Sequence, residues 1–380
     1  MYFCHKKQEN MTQTTENPYI KQFPDLLKGK KVLYVHGFAS SGQSGTVTRL
    51  RTVFPNATVL APDLPIHPEE ALSLLYKLCA EEQPDLIIGT SMGGMYTEQL
   101  YGYDRICVNP AMQMAETMKE HNMMGTQTFQ NPRQDGVQEF YVDKALVKEY
   151  KGVTERALTP HPLQGNQELA PEALAAFISQ ERQRVFGLFG DEDTTVNTYD
   201  LFHDFYPLSS HFHGEHRMND KSFMHSVVPV IRWIDDRQEK RQRPIIYIGI
   251  ETMVNGQQKP EPSVQKAVRL LIERYQVFFV ATAGGASYAA AESRHTEQAG
   301  SRHMEQAGAW LAEYIGIPAW RHTIFTWRRD LLYGDYLIAI PSPSERMGEE
   351  ASLCTLIPFG SDTFKTWDDI IAYFTRLGGQ

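Results

Sequence analysis

The pentapeptide Gly89-Thr90-Ser91-Met92-Gly93 follows an apolar run, Asp85-Leu86-Ile87-Ile88, and precedes a helical pattern. A serine performs acyl transfer only beside a base, itself held by an acid, with donors aimed at the developing oxyanion. Glycines two residues either side of Ser91 let a strand turn sharply into a helix, so that the hydroxyl projects from the end of a sheet and the Met92 N–H faces the reacting carbonyl. The five-residue spacing recurs by chance, and the strand before it and the helix after it are the context it needs. A second oxyanion donor is expected after an early strand. The run Lys31 to Val35 ends at His36-Gly37-Phe38, which makes the Phe38 N–H the candidate and His36 a buried brace for the loops.

The acid and the base should follow the last two strands. Val185 to Phe189 leads into Gly190-Asp191-Glu192-Asp193-Thr194-Thr195-Val196, where three acids compete. The spacing favours Asp193, one turn beyond the strand end, with Asp191 and then Glu192 as alternatives. For the base, Ser210-His211-Phe212-His213-Gly214-Glu215-His216 offers three histidines, and His225 lies just beyond. His211 and His213 alternate along the strand and can pack against it. His216 follows the glycine turn and precedes a closing helix, so it is the expected base. The order Ser91, Asp193, His216 is the one such a sheet requires.

The elements that must position these groups are legible as periodicity. Short apolar runs at Lys31–Val35, Ala57–Ala61, Asp85–Ile88, Ile106–Val108 and Val185–Phe189 alternate with helical patterns at Pro68–Glu82 and Gly93–Tyr101. Continuous apolar strands alternating with helices predict a parallel sheet covered on both faces. Residues 111–181 break this rhythm and are expected to form a cap. Its Met112, Met114, Met118, Met123 and Met124 read either as an adaptable apolar wall for an acyl chain or as ordinary packing. A helix over Asp220–Gln238, apolar at Phe223, Val227, Val230, Ile231 and Ile234, closes the first domain. Residues 239–243 read as a linker within the basic run Arg237–Arg243, taken as solvated. Pro244–Ile248 opens a second domain, with Gln276–Ala283 and Tyr336–Ile340 as further buried parallel strands. Residues 1–29 form an N-terminal extension.

The 380 residues suffice for two domains with cores of their own. A net charge of −9 disfavours a nucleic-acid partner, which needs a concentrated basic face. Cys4, Cys79, Cys107 and Cys354 are scattered, which speaks for free thiols and against disulfides or a zinc site. The polar N-terminus, in which Met11 is a possible start, has no signal-peptide core, and no stretch is apolar enough to span a membrane. A cytoplasmic location is the simplest expectation. The octapeptide Ser293–Gly300 is repeated at Ser301–Gly308. Its His295 and His303 would stand about 12 Å apart on a helix, too far to share a metal ion.

Residues 30–238 resemble the YqiA/YcfP-type esterases of the α/β-hydrolase superfamily. The residues that carry the likeness are Tyr34-Val35-His36-Gly37-Phe38-Ala39-Ser40-Ser41, Ala61-Pro62-Asp63-Leu64-Pro65, Ile87 to Gly94, Asn109-Pro110-Ala111 and Gly190-Asp191-Glu192-Asp193. The resemblance implies a mostly parallel sheet with a helical cap, hydrolysis of a small-molecule carboxylic ester or thioester, and no cofactor or metal. Residues 244–380 resemble haloacid-dehalogenase-type phosphatases of the 5'-nucleotidase branch, a Rossmann-like α/β fold. The likeness rests on Ile245 to Ile248, Ala281-Thr282-Ala283, Phe325 to Ile338 and Pro358-Phe359-Gly360-Ser361. That family uses an aspartate nucleophile with a second aspartate two residues on; this chain has Gly249 and Glu251. Acidic magnesium ligands are replaced by Ala339 and Ile340, and the lysine of the third motif by Arg328 or Arg329. The second domain is therefore expected to be a pseudo-phosphatase that serves as a nucleotide or partner site, as an oligomerisation surface between copies of the chain, as a cap, or only as packing. The expected function is an esterase or thioesterase acting through an acyl-enzyme on Ser91. The alternative is a non-catalytic binding or regulatory protein built from two degenerate enzyme domains.

Overall fold

The computed structural model describes residues 17, 19–159, 163–164, 167–254, 259–282, 296–326, 328–341 and 353–378. Cys4, Met11, Ala283 and His295 from the sequence expectations lie outside these residues, as does the His303 side chain. The repeat from residue 296 onward lies in one helix, α10 (Thr296–Tyr314).

The strands of the first half are β1 (Lys31–Val35), β2 (Thr58–Leu60), β3 (Leu86–Thr90), β4 (Arg105–Val108), β5 (Gly125–Thr128), β6 (Glu139–Val142), β7 (Leu163–Gln164), β8 (Gln167–Glu168), β9 (Val185–Gly190) and β10 (Ser209–Phe212). Six of them form one parallel sheet in the order β10-β9-β4-β3-β1-β2. The alternation of side chains across each strand explains the continuous apolar runs. Leu33, Val35, Ile87 and Cys107 face one core, with α2 (Pro68–Glu82) and α3 (Met92–Glu98). Val32, Tyr34, Leu86, Ile88, Ile106 and Val108 face the other, with α1 (Gly45–Val53). Both faces are buried, and each large apolar side chain so placed contributes about 1.5–3 kcal/mol.

Within residues 111–181 lie α4 (Met114–Glu120), the antiparallel β5–β6 hairpin, α5 (Lys144–Thr154) and α6 (Pro171–Glu181). The Asp143 carboxylate caps α5 by accepting from the Leu146 N–H at 2.8 Å. This segment packs over the loop that follows β1. The Phe140 ring meets Phe38 edge-on at 5.3 Å, and the Gln130 N–H donates to the Ala39 carbonyl at 2.9 Å. The methionines divide: Met112, Met114 and Met118 are buried in the first core, while Met124 is exposed. Met123 is partly buried against the same core, so four of the five pack.

Between β9 and β10 lies α7 (Tyr199–Phe205). The closing helix differs from the continuous one expected over 220–238. A short turn at Asp220–Ser222 runs into a π-helical turn, Phe223–Val227, before α8 (Val228–Gln238) begins. Pro229 has no N–H to continue the α-helical ladder, and the Val228 N–H reaches back to the Phe223 carbonyl instead. The basic run is largely exposed, as expected of a solvated stretch, but it is also ion-paired. Arg237 pairs with Asp104, Arg241 with Asp235 and Asp236, and Arg243 with Asp236, at 2.5–2.8 Å. Asp235 and Asp236 lie in α8 directly before the run, and only Asp104, just before β4, ties it to the first sheet.

A second parallel sheet follows, made of β11 (Ile245–Gly249), β12 (Gln276–Thr282), β13 (Thr323–Thr326), β14 (Tyr336–Ala339) and β15 (Thr355–Pro358) in the order β13-β12-β11-β14-β15. Its core is closed by α9 (Pro262–Arg274), α10 and α11 (Trp367–Leu377). The strand order reverses between β11 and β14, as in Rossmann-like sheets. One short turn of this half, Ile317–Ala319, packs against α8, and Ile317 is buried in the core of the first sheet. Among the described residues no helix is long and apolar enough to cross a membrane.

Candidate active site

The C-terminal end of β3 delivers Ser91 into a turn that only small residues can build. A β-carbon on Gly89 would lie 2.1 Å from the Thr97 hydroxyl, and one on Gly93 would lie 2.1 Å from the Val35 carbonyl oxygen. Ser91 itself takes φ 55°, ψ −124°, a backbone conformation that costs a side-chain-bearing residue on the order of 1–3 kcal/mol. The serine N–H donates to the Val108 carbonyl at 2.9 Å, and the Ala111 N–H donates to the Ser91 carbonyl at 3.0 Å. The strained turn is thus pinned from β4.

His216 and Asp193 complete a chain of hydrogen bonds. Ser91 Oγ lies 3.0 Å from His216 Nε2, and His216 Nδ1 lies 2.7 Å from Asp193 Oδ2. The other oxygen of Asp193 accepts from the Thr195 and Val196 N–H groups at 2.7 and 3.0 Å. Burial alone would raise the Asp193 carboxyl; the bonds from His216 and from these backbone groups outweigh that and hold it below the ordinary carboxylate range. An ionised Asp193 accepts the hydrogen bond from Nδ1–H and so holds the proton on that nitrogen, which leaves Nε2 as acceptor for the Ser91 hydroxyl.

The other sequence candidates fall elsewhere. Asp191 accepts from the Gly214 N–H at 3.0 Å and faces His213 at 3.4 Å, so it shapes the turn between β10 and His216. Glu192 is exposed beside them. Asp191, Glu192 and His213 bring ligand atoms within 4.8 Å of one another, a grouping common on surfaces without any ion. The His211 ring lies 4.0 Å from that of Tyr199. His225 sits in the π-helical turn, where burial and then the charge of Arg269 push it down to about 4.

The two expected oxyanion donors flank the serine. Met92 is the first residue of α3, where helical N–H groups have no partner within the helix. The loop carrying Phe38 touches the nucleophile turn: a β-carbon on Gly37 would lie 3.3 Å from Ser91 Cβ. Among the described residues neither N–H meets a protein acceptor. His36 braces this loop. Its Nδ1–H donates to the Gly37 carbonyl at 2.8 Å and its Nε2 accepts from the Leu64 N–H at 3.0 Å. Burial pushes it down to about 4, so it stays neutral.

Asn109 enters the sequence reading only as part of the Asn109-Pro110-Ala111 likeness, with no site role, yet it joins the three loops. It is 1% exposed and takes φ 45°. Its Oδ1 accepts from the Gly190 N–H at 2.7 Å, and its Nδ2 donates to the carbonyls of Glu215 and His216 at 3.2 and 3.0 Å. The acid loop and the base loop are therefore tied to the end of β4 through one amide. An asparagine before a proline, a pair that tolerates left-handed backbone, is the sequence signal that marks it.

Residues 31–214 match the model of a family described as "Uncharacterised protein family (UPF0227)", somewhat under half of the chain. No curated protein matches. Among solved structures, the chain is similar to the esterase domain of a Rhodothermus marinus protein, at 17% identity over 57% of this chain and 90% of that one, with a TM-score of 0.35. It is also similar to Est1E from Butyrivibrio proteoclasticus, at 12% identity over 56% of this chain and 88% of that one, with a TM-score of 0.34. The thioesterase domain from the curacin biosynthetic pathway matches at 14% identity over 56% and 92%, with a TM-score of 0.30.

Proposed function

We propose that this chain is a serine hydrolase that cleaves small acyl esters or thioesters through an acyl-enzyme on Ser91. The observation that carries this reading is the continuous chain Ser91 Oγ, His216, Asp193, at 3.0 and 2.7 Å. Ser91 Oγ attacks the acyl carbon while His216 Nε2 takes its proton. Negative charge then gathers on the carbonyl oxygen, where the N–H groups of Phe38 and Met92 receive it. Collapse of the tetrahedral intermediate breaks the bond to the alcohol or thiol, which leaves with the proton from Nε2. Water, deprotonated by the same nitrogen, attacks the acyl-serine; the acyl–Oγ bond then breaks, Nε2 returns the proton to Ser91 Oγ, and the acid is released. Asp193 fixes the histidine tautomer and stabilises the imidazolium throughout. Residues 30–238 form the hydrolase domain, with 111–181 as its cap over the Phe38 loop.

A fluorophosphonate probe on the full chain tests this directly. Wild type is expected to label and Ser91→Ala to remain unlabelled, with nitrophenyl-ester hydrolysis falling by roughly 10⁴-fold or more. Comparing acyl-chain lengths on nitrophenyl esters and acyl-CoA then sorts ester from thioester. A wild-type chain that neither labels nor turns over any of these substrates is a binding protein instead.

Residues 244–380, joined through 239–243, form a phosphatase-like domain without a nucleophile. Its support is local. The Glu251 carboxylate lies 2.4 Å from where a β-carbon on Gly249 would stand, and it pairs with Arg329 at 2.6 Å. A single carboxylate already neutralised by arginine is a poor holder of Mg²⁺. Phosphate-ester hydrolysis with added Mg²⁺ is expected to stay at background, and a magnesium-dependent rate lost in Glu251→Gln would overturn that.

A further inference from the structure

Between the two sheets, where α8 and the link 239–243 meet the start of β12 and the turn before β13, lies a cleft of about 520 Å³. This is the size range of small-molecule sites, which favour such junctions. Six cationic side chains line it (Arg232, Arg237, Lys240, Arg241, Arg243 and Arg321) against one carboxylate, Asp236. The chain as a whole carries −9, so the concentration of positive charge is local. The floor is aromatic. The ring of Trp233 stacks on His322 at 4.7 Å and 19°, with Trp320 at 6.1 Å from Trp233.

Three of the cations make no ion pair among the described residues. Arg237, Arg241 and Arg243 are paired with Asp104, Asp235 and Asp236. Lys240 and Arg321, at the rim, make no ion pair among the described residues. Arg232 matters most because it is only 8% exposed. Its guanidinium donates once, to the Glu273 carbonyl at 3.2 Å, and lies over the Phe23 ring at 5.1 Å. No carboxylate oxygen among the described residues comes within ion-pair distance, although Glu273, Asp236 and Asp235 act on it from farther off. Burial, and then the neighbouring charge of Arg243, push it down to about 10. A buried guanidinium without a carboxylate is costly to keep. An anion in the cleft would supply the missing partner, and the fork geometry of Arg232 suits a phosphate.

We infer that this cleft is a binding site, separate from Ser91, for a small molecule that joins a planar ring to a phosphate: ring against Trp233, Trp320 and His322, phosphate against Arg232, Lys240 and Arg321. Nucleotides and simple aromatic phosphates share this chemistry. The site does not depend on the hydrolase reading, because no residue of the Ser91 turn, the acid loop or the base loop lines it.

The test is titration of the full chain with AMP, phenyl phosphate, inorganic phosphate and adenosine, followed by tryptophan fluorescence and by thermal shift. Phenyl phosphate or AMP is expected to saturate, quench the signal and raise Tm, equally in wild type and Ser91→Ala. Inorganic phosphate or adenosine alone is expected to bind at least about tenfold more weakly, each lacking half the contacts. Arg232→Met should weaken phenyl phosphate by about tenfold or more. Arg321→Ala, at an exposed position that leaves the core intact, carries the same binding comparison if Arg232→Met does not fold. The inference is overturned if none of the four probes saturates, if inorganic phosphate binds as well as phenyl phosphate, or if neither variant changes the affinity.

Discussion

Replacing Asn109 by alanine should disable the active site without touching any of the three reacting side chains. The amide makes three hydrogen bonds, at 2.7, 3.0 and 3.2 Å, to three different backbone groups. Its loss orphans the buried Gly190 N–H, which costs about 1–3 kcal/mol. Alanine at φ 45° adds about 1 kcal/mol more. The expected loss of stability is therefore about 2–4 kcal/mol. The catalytic effect is separate. With Glu215 and His216 released from β4, His216 Nε2 no longer holds its 3.0 Å distance to Ser91, and a shift of about 1 Å costs about 100-fold in rate. The assay is steady-state hydrolysis of nitrophenyl acetate, scaled to the folded fraction by near-ultraviolet circular dichroism, together with the rate of fluorophosphonate labelling. The fall should be in kcat, with KM little changed. Asn109→Gly separates brace from backbone strain, since glycine takes the same φ freely. A glycine variant with wild-type kcat would refute the brace.

Ser91→Gly should raise stability by about 1 kcal/mol, measured by urea unfolding, while abolishing labelling, because the strained φ of 55° costs glycine little. The neutral His36 gives a pH dependence with a defined sign. Its folded value of about 4 lies below the 6.5 of the unfolded chain. Between these limits the unfolded state binds the extra proton, so stability falls as pH drops from 6.5 towards 4, by about 3 kcal/mol from this residue. His36→Gln should flatten that slope in urea titrations across the window; an unchanged slope would remove His36 from the account.

Local patterns made the nucleophile turn legible. Gly89 and Gly93 are required by contacts at 2.1 Å with chain very near in sequence or in the adjoining strand, and the flanking strand and helix announce themselves by periodicity. Asp193 rather than Asp191 was favoured by spacing from the strand end, and this is the acid that lies 2.7 Å from His216. What escaped depends on partners distant in the chain. Asn109 meets residues 190, 215 and 216, which no periodicity places beside it. The ion pair of Arg237 escaped because Asp104 is 133 residues away, whereas Asp235 and Asp236 stand directly before the run. The π-helical turn is invisible to a helical pattern that continues through it, even though Pro229 was there to be read.

Ile317 lies far beyond the link in sequence, yet it is packed in the core of the first sheet, with Trp320 beside it. Glu273, at the end of α9, binds Lys21 at 2.6 Å and lends its carbonyl to Arg232 and Arg243. The two halves are therefore not interchangeable cassettes. A chain cut after Arg243 would leave an apolar scar on α8, and the surviving piece would be marginal or sticky whatever its Ser91 could do. Point substitutions, rather than truncations, are the way to ask what each half contributes. A unit that furnishes part of its neighbour's interior has a reason to be retained that is independent of any chemistry on its own sheet.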